Sequence, residues 1–452
     1  MVDLDNLQFA DAESSSTFTN YEGIENEPEV AEELQKHLDL QRLAGFEDYS
    51  GLLRFLRNKR PVLNKLGLVI RFKGGKRKLR LILDAKSSEV SRAAVRSERI
   101  MNPRVLDAVN GVLAHLAFNH QEERAGRRSW ADADGGWDPG VELLVIDVEG
   151  AFWLAPLAQG DQRYFCFKYN SSYWVYLCTA QGSRTAPITW GRIAGLLCRL
   201  TQGVFSPNDV RINLFVDDPI LSLRGNSNIR RFHAAMFILL WRSLGFPLAF
   251  VKASMDKKVD WIGAQISITP RGVRARAKQD ILDDLTRDMD AIESSNVVTK
   301  KLLRSFAGRG SHIATVVTTW RPFLSELWAA LSSEPDGAPL NCVWLRQVQP
   351  TVTWMRAFVR GRAGTITREF NLDAYMNLGK QVELVTDASP WGLGGYVTVN
   401  GQVKEFFQSE LDENDFTIFG HAKGDCRGQQ AWEALAMLVA PACEPPPGLR
   451  GA

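Results

Sequence analysis

Three aspartates stand where chemistry could be done. In "INLFVDDPILSL", Asp217 and Asp218 sit side by side inside an otherwise apolar run, with Ile212, Leu214, Phe215 and Val216 before them and Ile220 and Leu221 after. The run reads as two short strands around a tight turn. Ionised carboxylates among such neighbours are costly unless a cation neutralises them. Asp147 ends the apolar run "LLVI" in "ELLVIDVEGAFWLAPL", which places its side chain at the C-terminal edge of a strand. With the Asp217-Asp218 hairpin beside that strand, three carboxylates from distant positions meet. Two magnesium ions need such a set: oxygen ligands, few protein contacts each, and room for substrate phosphates. An ion pair of this kind lowers the pKa of an attacking hydroxyl and neutralises charge on a leaving pyrophosphate. The plainer readings are an ordinary turn at Asp217-Asp218 and a helix cap at Asp147.

The elements that must position these residues follow from pattern. "VAEELQKHLDLQRLAGF" has helical spacing. "GLVIRFKGGKRKLRLILD" predicts a β-hairpin turning at Gly74-Gly75, with lysines at its tip. A helix is expected after Pro103, in "RVLDAVNGVLAHLAF". "RYFCFKYNSSYWVYLCTA" reads as a further hairpin, and "QGSRTAPITWGRIAGLLCRLTQGV" as a loop entering a helix. "FHAAMFILLWRSLGFPLAF" reads as a buried helix and a turn, and "VDWIGAQISI" as the strand closing this part. Residues 278–335 are helix-rich, and "QVELVTDASPWGLGGYVTVNGQVKEFF" opens a separate β-rich unit.

At 452 residues the chain has room for two to four domains. Its net charge of +2 hides an asymmetry. Acids dominate from Met1 to Leu53, with Glu25, Glu27, Glu29, Glu32 and Glu33 close together. Lysines and arginines dominate from Arg54 to Arg104, opposed only by Asp84, Glu89 and Glu98. A solvated face is the plain explanation; a block this dense, interleaved with strand-like segments, fits contact with phosphates better. No apolar stretch reaches membrane length and no secretory signal is evident, so no membrane partner is expected. Cys166, Cys178, Cys198, Cys342, Cys426 and Cys443 lack zinc spacing and read as reduced thiols of an intracellular protein, cytoplasmic or nuclear.

"DVEGAF" with Asp147, "QGSRTAP" and "FVDD" occur in the order and approximate spacing of palm motifs A, B and C of reverse transcriptases. "RLILDAKSSEVS" is similar to the fingers motif of retroelement polymerases. "LGFPLAFVKAS" is similar to the motif after the catalytic hairpin, and "WIGAQIS" to the primer-grip strand that follows. The resemblance covers roughly residues 55 to 335 and is closest in style to retrotransposon polymerases. It implies an α+β right-hand polymerase of fingers, palm and thumb, followed by a partial ribonuclease H-like α/β unit. The expected divisions are an acidic disordered tail at 1–30, fingers and palm at 31–270, a helical thumb or connection at 271–375, and the ribonuclease H-like part at 376–452.

Residue by residue, the resemblance makes Asp147 and Asp217 the holders of two Mg²⁺ ions, or Mn²⁺ in their place, with Asp218 as partner carboxylate and the Val148 carbonyl as a further ligand. Phe152 falls at the aromatic steric gate that excludes a ribose 2′-hydroxyl; its plain reading is a core phenylalanine. Gln181 lines the nucleotide pocket, Gly182 lets backbone approach the substrate, and Pro187 sets the start of the next helix. Arg80 matches the arginine that clasps the triphosphate, Lys73 the accompanying lysine (Lys76 is a second candidate), and Lys252 the lysine that protonates pyrophosphate. The sequence departs from the pattern at Gly150, where many members carry a second acid, at Phe215 for tyrosine, at Ala186 for serine, and at Pro219. None of these removes a metal ligand.

"LVTDASPWGLGGYV" resembles the first strand of a ribonuclease H fold through Asp387, and "QQAWEALAML" its first helix through Glu433. A later aspartate that the nuclease needs is not found before Ala452, so a truncated domain without ribonuclease H activity is expected. The implied function is RNA-directed DNA polymerisation for a retrotransposon: extension of a primer on an RNA or DNA template with deoxynucleoside triphosphates. The alternative is a decayed, non-catalytic nucleic-acid-binding remnant of such an element.

Overall fold

Alternation in one strand decides which way the first aspartate points. In Val141–Val148 the side chains of Leu144, Ile146 and Val148 enter a core with Trp190, Phe237 and Trp241. Asp147 therefore takes the opposite face, with Leu143 and Val145. Each of those apolar side chains contributes about 1.5–3 kcal/mol when buried, so a slip of one residue, which would exchange the faces, is strongly opposed. The strand lies in an antiparallel sheet ordered Val210–Phe215, Asp218–Arg224, Val141–Val148, Leu248–Asp256. Helices Ala186–Val204 and Ser227–Ser243 cover the Ile146 face through that core. Helix Val105–Arg124 packs on the other, where His115 Nδ1 lies 2.9 Å from Ser222 Oγ.

The computed structural model describes residues 18–73, 76–94, 98–126, 137–180 and 182–440, apart from the side chains of 71–73, 76 and 78. Helix makes up 43% and strand 28%, a mixed architecture. The chain divides into two units, Met1–Phe370 and Asn371–Ala452.

In the first unit, the lysine-rich segment forms the expected hairpin, Lys65–Lys73 with Lys76–Asp84, whose last pair is Lys73 and Lys76. Strands Leu43–Phe46, Ser172–Tyr176 and Cys166–Tyr169 form a second sheet. "VDWIGAQISI" is two strands rather than one. Lys258–Trp261 and Ala264–Thr269 pair antiparallel across Ile262 and Gly263, both at positive φ (38° and 82°), the pattern of a type I′ turn. Helices Gln279–Glu293, Lys300–Ile313, Arg321–Ser332 and Gln349–Val359 pack around Leu285, Phe306, Trp320 and Met355. Helix Ser227–Ser243 is not buried all round: Arg230, Ala234, Phe237 and Trp241 face inward, while Phe232 and Leu239 are exposed.

The expected tail does not run to residue 30. Residues 1–17 lie outside the described residues, but Ile24 is fully buried and helix Pro28–Asp39 begins inside the acidic stretch. Asn20 donates to Lys168 O (2.8 Å), and Glu27 and Glu29 both pair with Arg77 of the lysine-rich hairpin. Long-range charge pairing and one apolar anchor order a segment whose composition reads as solvated.

The second unit holds the antiparallel strands Val382–Ser389, Gly392–Val399 and Gln402–Glu410 with helices Glu413–Phe419 and Gln429–Val439, around Leu393, Phe416 and Trp432. The five described cysteines are unbridged. No described helix is long and apolar enough to cross a membrane.

Candidate active site

The turn joining Val210–Phe215 to Asp218–Arg224 has two loop residues, Val216 and Asp217, with Phe215 paired to Asp218. Val216 has φ +56°, a conformation that a β-branched side chain rarely adopts and that costs on the order of 1–3 kcal/mol. Three elements hold it there. Trp190 Nε1 donates to Val216 O (2.7 Å), Val148 N to Asp217 O (2.8 Å) and Trp261 Nε1 to Asp218 O (2.9 Å). Three successive carbonyls are thus fixed by a helix, the central strand and the following hairpin. Pro219 costs little, because the ladder to the central strand begins only at Ile220, paired with Val145.

Continuing that register by two residues sets Asp147 opposite Asp218. The two side chains share a hydrogen bond, and Asp147 also pairs with the Lys252 ammonium, carried on the neighbouring strand Leu248–Asp256. Burial pushes the Asp218 carboxyl above its usual range, helped by the hydrogen bond and charge of Asp147 and then the charge of Asp217. Asp217 is raised too, first by burial and then by the Asp147 charge. Lys252 is held more firmly protonated, chiefly by its hydrogen bond to Asp147. Among the described residues no group of three or more His, Cys, Asp or Glu side chains is by itself arranged to hold a metal ion. The interacting aspartates form an open, oxygen-only set instead. That chemistry fits Mg²⁺, which is bound through one or two carboxylates plus substrate phosphates rather than in an all-protein cage.

Asp217 opens onto a cavity of about 520 Å³ that Arg80, Gly150, Phe152 and Gly182 also line. Arg80, on strand Lys76–Asp84 opposite Val69, is exposed, and its charge acts on Asp217 against the upward shift. Phe152 lies in the single turn Ala151–Leu154, half-buried, its carbonyl accepting from Thr179 Oγ1. Gly182 has φ +101°, and a Cβ there would stand 2.6 Å from Leu83 O, so only glycine lets this loop meet the base of the hairpin. Pro187 is the second residue of helix Ala186–Val204. Gln181 lies outside the described residues, and so does the side chain of Lys73.

The structure therefore brings Asp147, Asp217, Asp218, Val148, Lys252, Arg80, Phe152 and Gly182 to one place. Trp190 and Trp261, which fix the turn, were not singled out from the sequence; an indole beside each motif was the available signal. In the second unit, Gln429 Nε2 donates to Ala388 O (2.7 Å) and Glu433 Oε1 (3.0 Å), tying Glu433 to the residue after Asp387. Asp387 itself is exposed on a cavity of about 510 Å³, with Ser389, Gln408, Glu410 and Lys423.

The fold was compared with solved structures. A foamy viral protease-reverse transcriptase dRH, in complex with ds DNA, superposes with a TM-score of 0.52 at 14% identity, over 95% of this chain. The fold is reverse-transcriptase-like. The chain spans under two thirds of that neighbour's length, 63%. Foamy viral protease-reverse transcriptases in complex with RNA/DNA hybrid and with dsDNA each reach 0.49 at 15% identity, over 94% and 91% of this chain. No family model and no curated protein matches the sequence.

Proposed function

We propose that the chain is an RNA-directed DNA polymerase of a retrotransposon, adding deoxynucleotides to a primer 3′-hydroxyl on an RNA or DNA template. One observation carries the reading: three hydrogen-bonded carbonyls fix a strained turn so that Asp217 and Asp218 meet Asp147 beside a cavity holding Arg80 and Phe152. In this reading the hairpin Lys65–Asp84 belongs to the fingers, the four-stranded sheet to the palm, and the helices from Gln279 to the thumb. Residues from about 376 onward are a ribonuclease H-like unit carrying Asp387 and Glu433.

Asp147, Asp217, Asp218 and the Val148 carbonyl would hold two Mg²⁺, or Mn²⁺, which when bound lower the attacking hydroxyl's pKa and neutralise the leaving pyrophosphate. Arg80 takes triphosphate oxygens through a planar guanidinium that is always charged. The Phe152 ring closes the pocket where a ribose 2′-hydroxyl would lie. Lys252, kept protonated by Asp147, supplies a proton toward the leaving group. The bare Cα of Gly182 lets backbone approach the nucleotide.

The test is extension of oligo-dT on poly-rA with dTTP and Mg²⁺, comparing the chain with Asp217→Asn. Extension by the first and none by the second is expected. A folded chain that binds template and primer yet never extends would leave the non-catalytic nucleic-acid-binding remnant as the reading.

A further inference from the structure

Arg42 is a cation near the site that the reading above does not use. Its backbone is fixed: Arg42 N donates to His37 O (2.9 Å), and Arg42 O accepts from Leu177 N (3.0 Å). Its guanidinium lies 5.9 Å from the centroid of the Trp153 ring. Arg42 Nη2 stands 3.0 Å from the point a Cβ on Gly150 would occupy, and Nη1 3.7 Å from it. Gly150 is a wall of the cavity that holds Arg80 and Asp217. The glycine has φ +67° and no side chain, so the guanidinium, itself outside the lining, faces the bare backbone of a residue that lines the cavity.

Among the described residues no carboxylate pairs with Arg42 and none accepts a hydrogen bond from its guanidinium. The buried arginines Arg224 and Arg230 differ, each pairing with two carboxylates, as does the half-buried Arg356. A half-buried guanidinium without an anion, packed against an aromatic face and a glycine, has its donors left for a ligand. The cavity also calls for positive charge. A nucleoside triphosphate entering beside Asp217 meets Arg80, while Lys252 is already paired with Asp147.

We infer that Arg42 is a further phosphate-binding residue of the nucleotide cavity, taking a phosphate of the incoming nucleoside triphosphate across Gly150. This deepens the polymerase reading and rests on it for the identity of the ligand. The absence of a side chain at 150 is part of the device. A carboxylate there would pair with Arg42 and silence it.

Two readouts on the full chain separate this inference from the function it rests on. The first is the KM for dTTP in poly-rA/oligo-dT extension. The second is direct titration with a fluorescent N-methylanthraniloyl dTTP, which needs no turnover. Arg42→Gln should raise KM and weaken labelled-triphosphate binding by about 10- to 100-fold, the worth of one charge-assisted hydrogen bond. Template–primer affinity and melting temperature should stay unchanged, and Arg42→Lys should recover part of the loss. Gly150→Asp should weaken triphosphate binding, whereas Gly150→Asn, with similar bulk and backbone strain, should do so far less. If the chain extends primers and folded Arg42→Gln matches it in both readouts, the inference falls and the polymerase reading stands. If the chain binds the labelled triphosphate through Arg42 but never extends, the polymerase reading falls and the phosphate site stands. Neither extension nor triphosphate binding by the folded chain overturns both.

Discussion

At one end of the strand pair Val141–Val148 and Asp218–Arg224, three aspartates crowd together, Lys252 pairing with Asp147 and the Arg80 charge acting on Asp217. At the other end, where Val141 pairs with Arg224, four carboxylates gather and each is matched by an arginine. Arg230, almost wholly buried, holds Asp138 (2.9 Å), Glu142 (2.7 Å) and the Gly225 carbonyl (2.7 Å). Arg224 holds Asp209 (2.8 Å) and Glu122 (3.7 Å) and lies 4.4 Å from the Phe118 ring centroid. The two ends share one backbone ladder and differ in how charge is closed. Where the protein supplies its own counter-charges, the carboxylates are structural. Where the carboxyls crowd one another and the backbone carbonyls are fixed instead, burial and mutual charge push Asp217 and Asp218 above the usual carboxylate range.

The contrast breaks most sharply by substitution at its two ends. On the proposed mechanism Asp147→Asn should lower primer extension by about 10⁴-fold or more, since there it removes a ligand common to both metal ions. It should change the urea-unfolding midpoint little, because losing one of three crowded carboxylates relieves repulsion. Arg230→Ala should do the reverse. It leaves buried carboxylates uncompensated and should cost about 3–5 kcal/mol in urea unfolding, with extension per folded molecule unchanged. A variant at either end that loses both properties equally would show that the ends are one unit rather than two.

Protons probe the middle of the same sheet. His115 lies between Ser222 Oγ (2.9 Å) and the Pro207 carbonyl (3.1 Å), and burial pulls its pKa from 6.5 down to about 4. A folded-state pKa below the unfolded value means that stability is complete above pH 6.5 and drains away as pH falls toward 4. The loss amounts to at most about 3 kcal/mol. Urea midpoints measured between pH 7 and pH 4 should therefore decline. His115→Gln should flatten that decline; an unchanged slope would place the acid sensitivity elsewhere.

Most of this arrangement could be read from the chain because its signals are local. Asp217 and Asp218 stand out against an apolar run, and "LLVID" marks a strand ending in a carboxylate. The lysine-rich hairpin announces itself by alternation around Gly74-Gly75. What stayed hidden depends on partners far away in sequence. Nothing near Arg42 points to Gly150, and no local rule ties Trp261 to the carbonyl of Asp218. The acidic N-terminal stretch reads as solvated because composition averages over Ile24 and says nothing of Arg77. The break in "VDWIGAQISI" was missed because its first turn residue is isoleucine, which turn chemistry disfavours at positive φ.

The indole hydrogen bonds to Val216 and Asp218 give the molecule an optical gauge of its own strained turn. Trp190 and Trp261 each end on a carbonyl that must shift if the turn relaxes, and indole emission responds to the loss of such a bond. A difference spectrum between the chain and Trp190→Phe isolates one of the two emitters from the thirteen tryptophans present. The turn can then be watched during substrate loading without attaching any label.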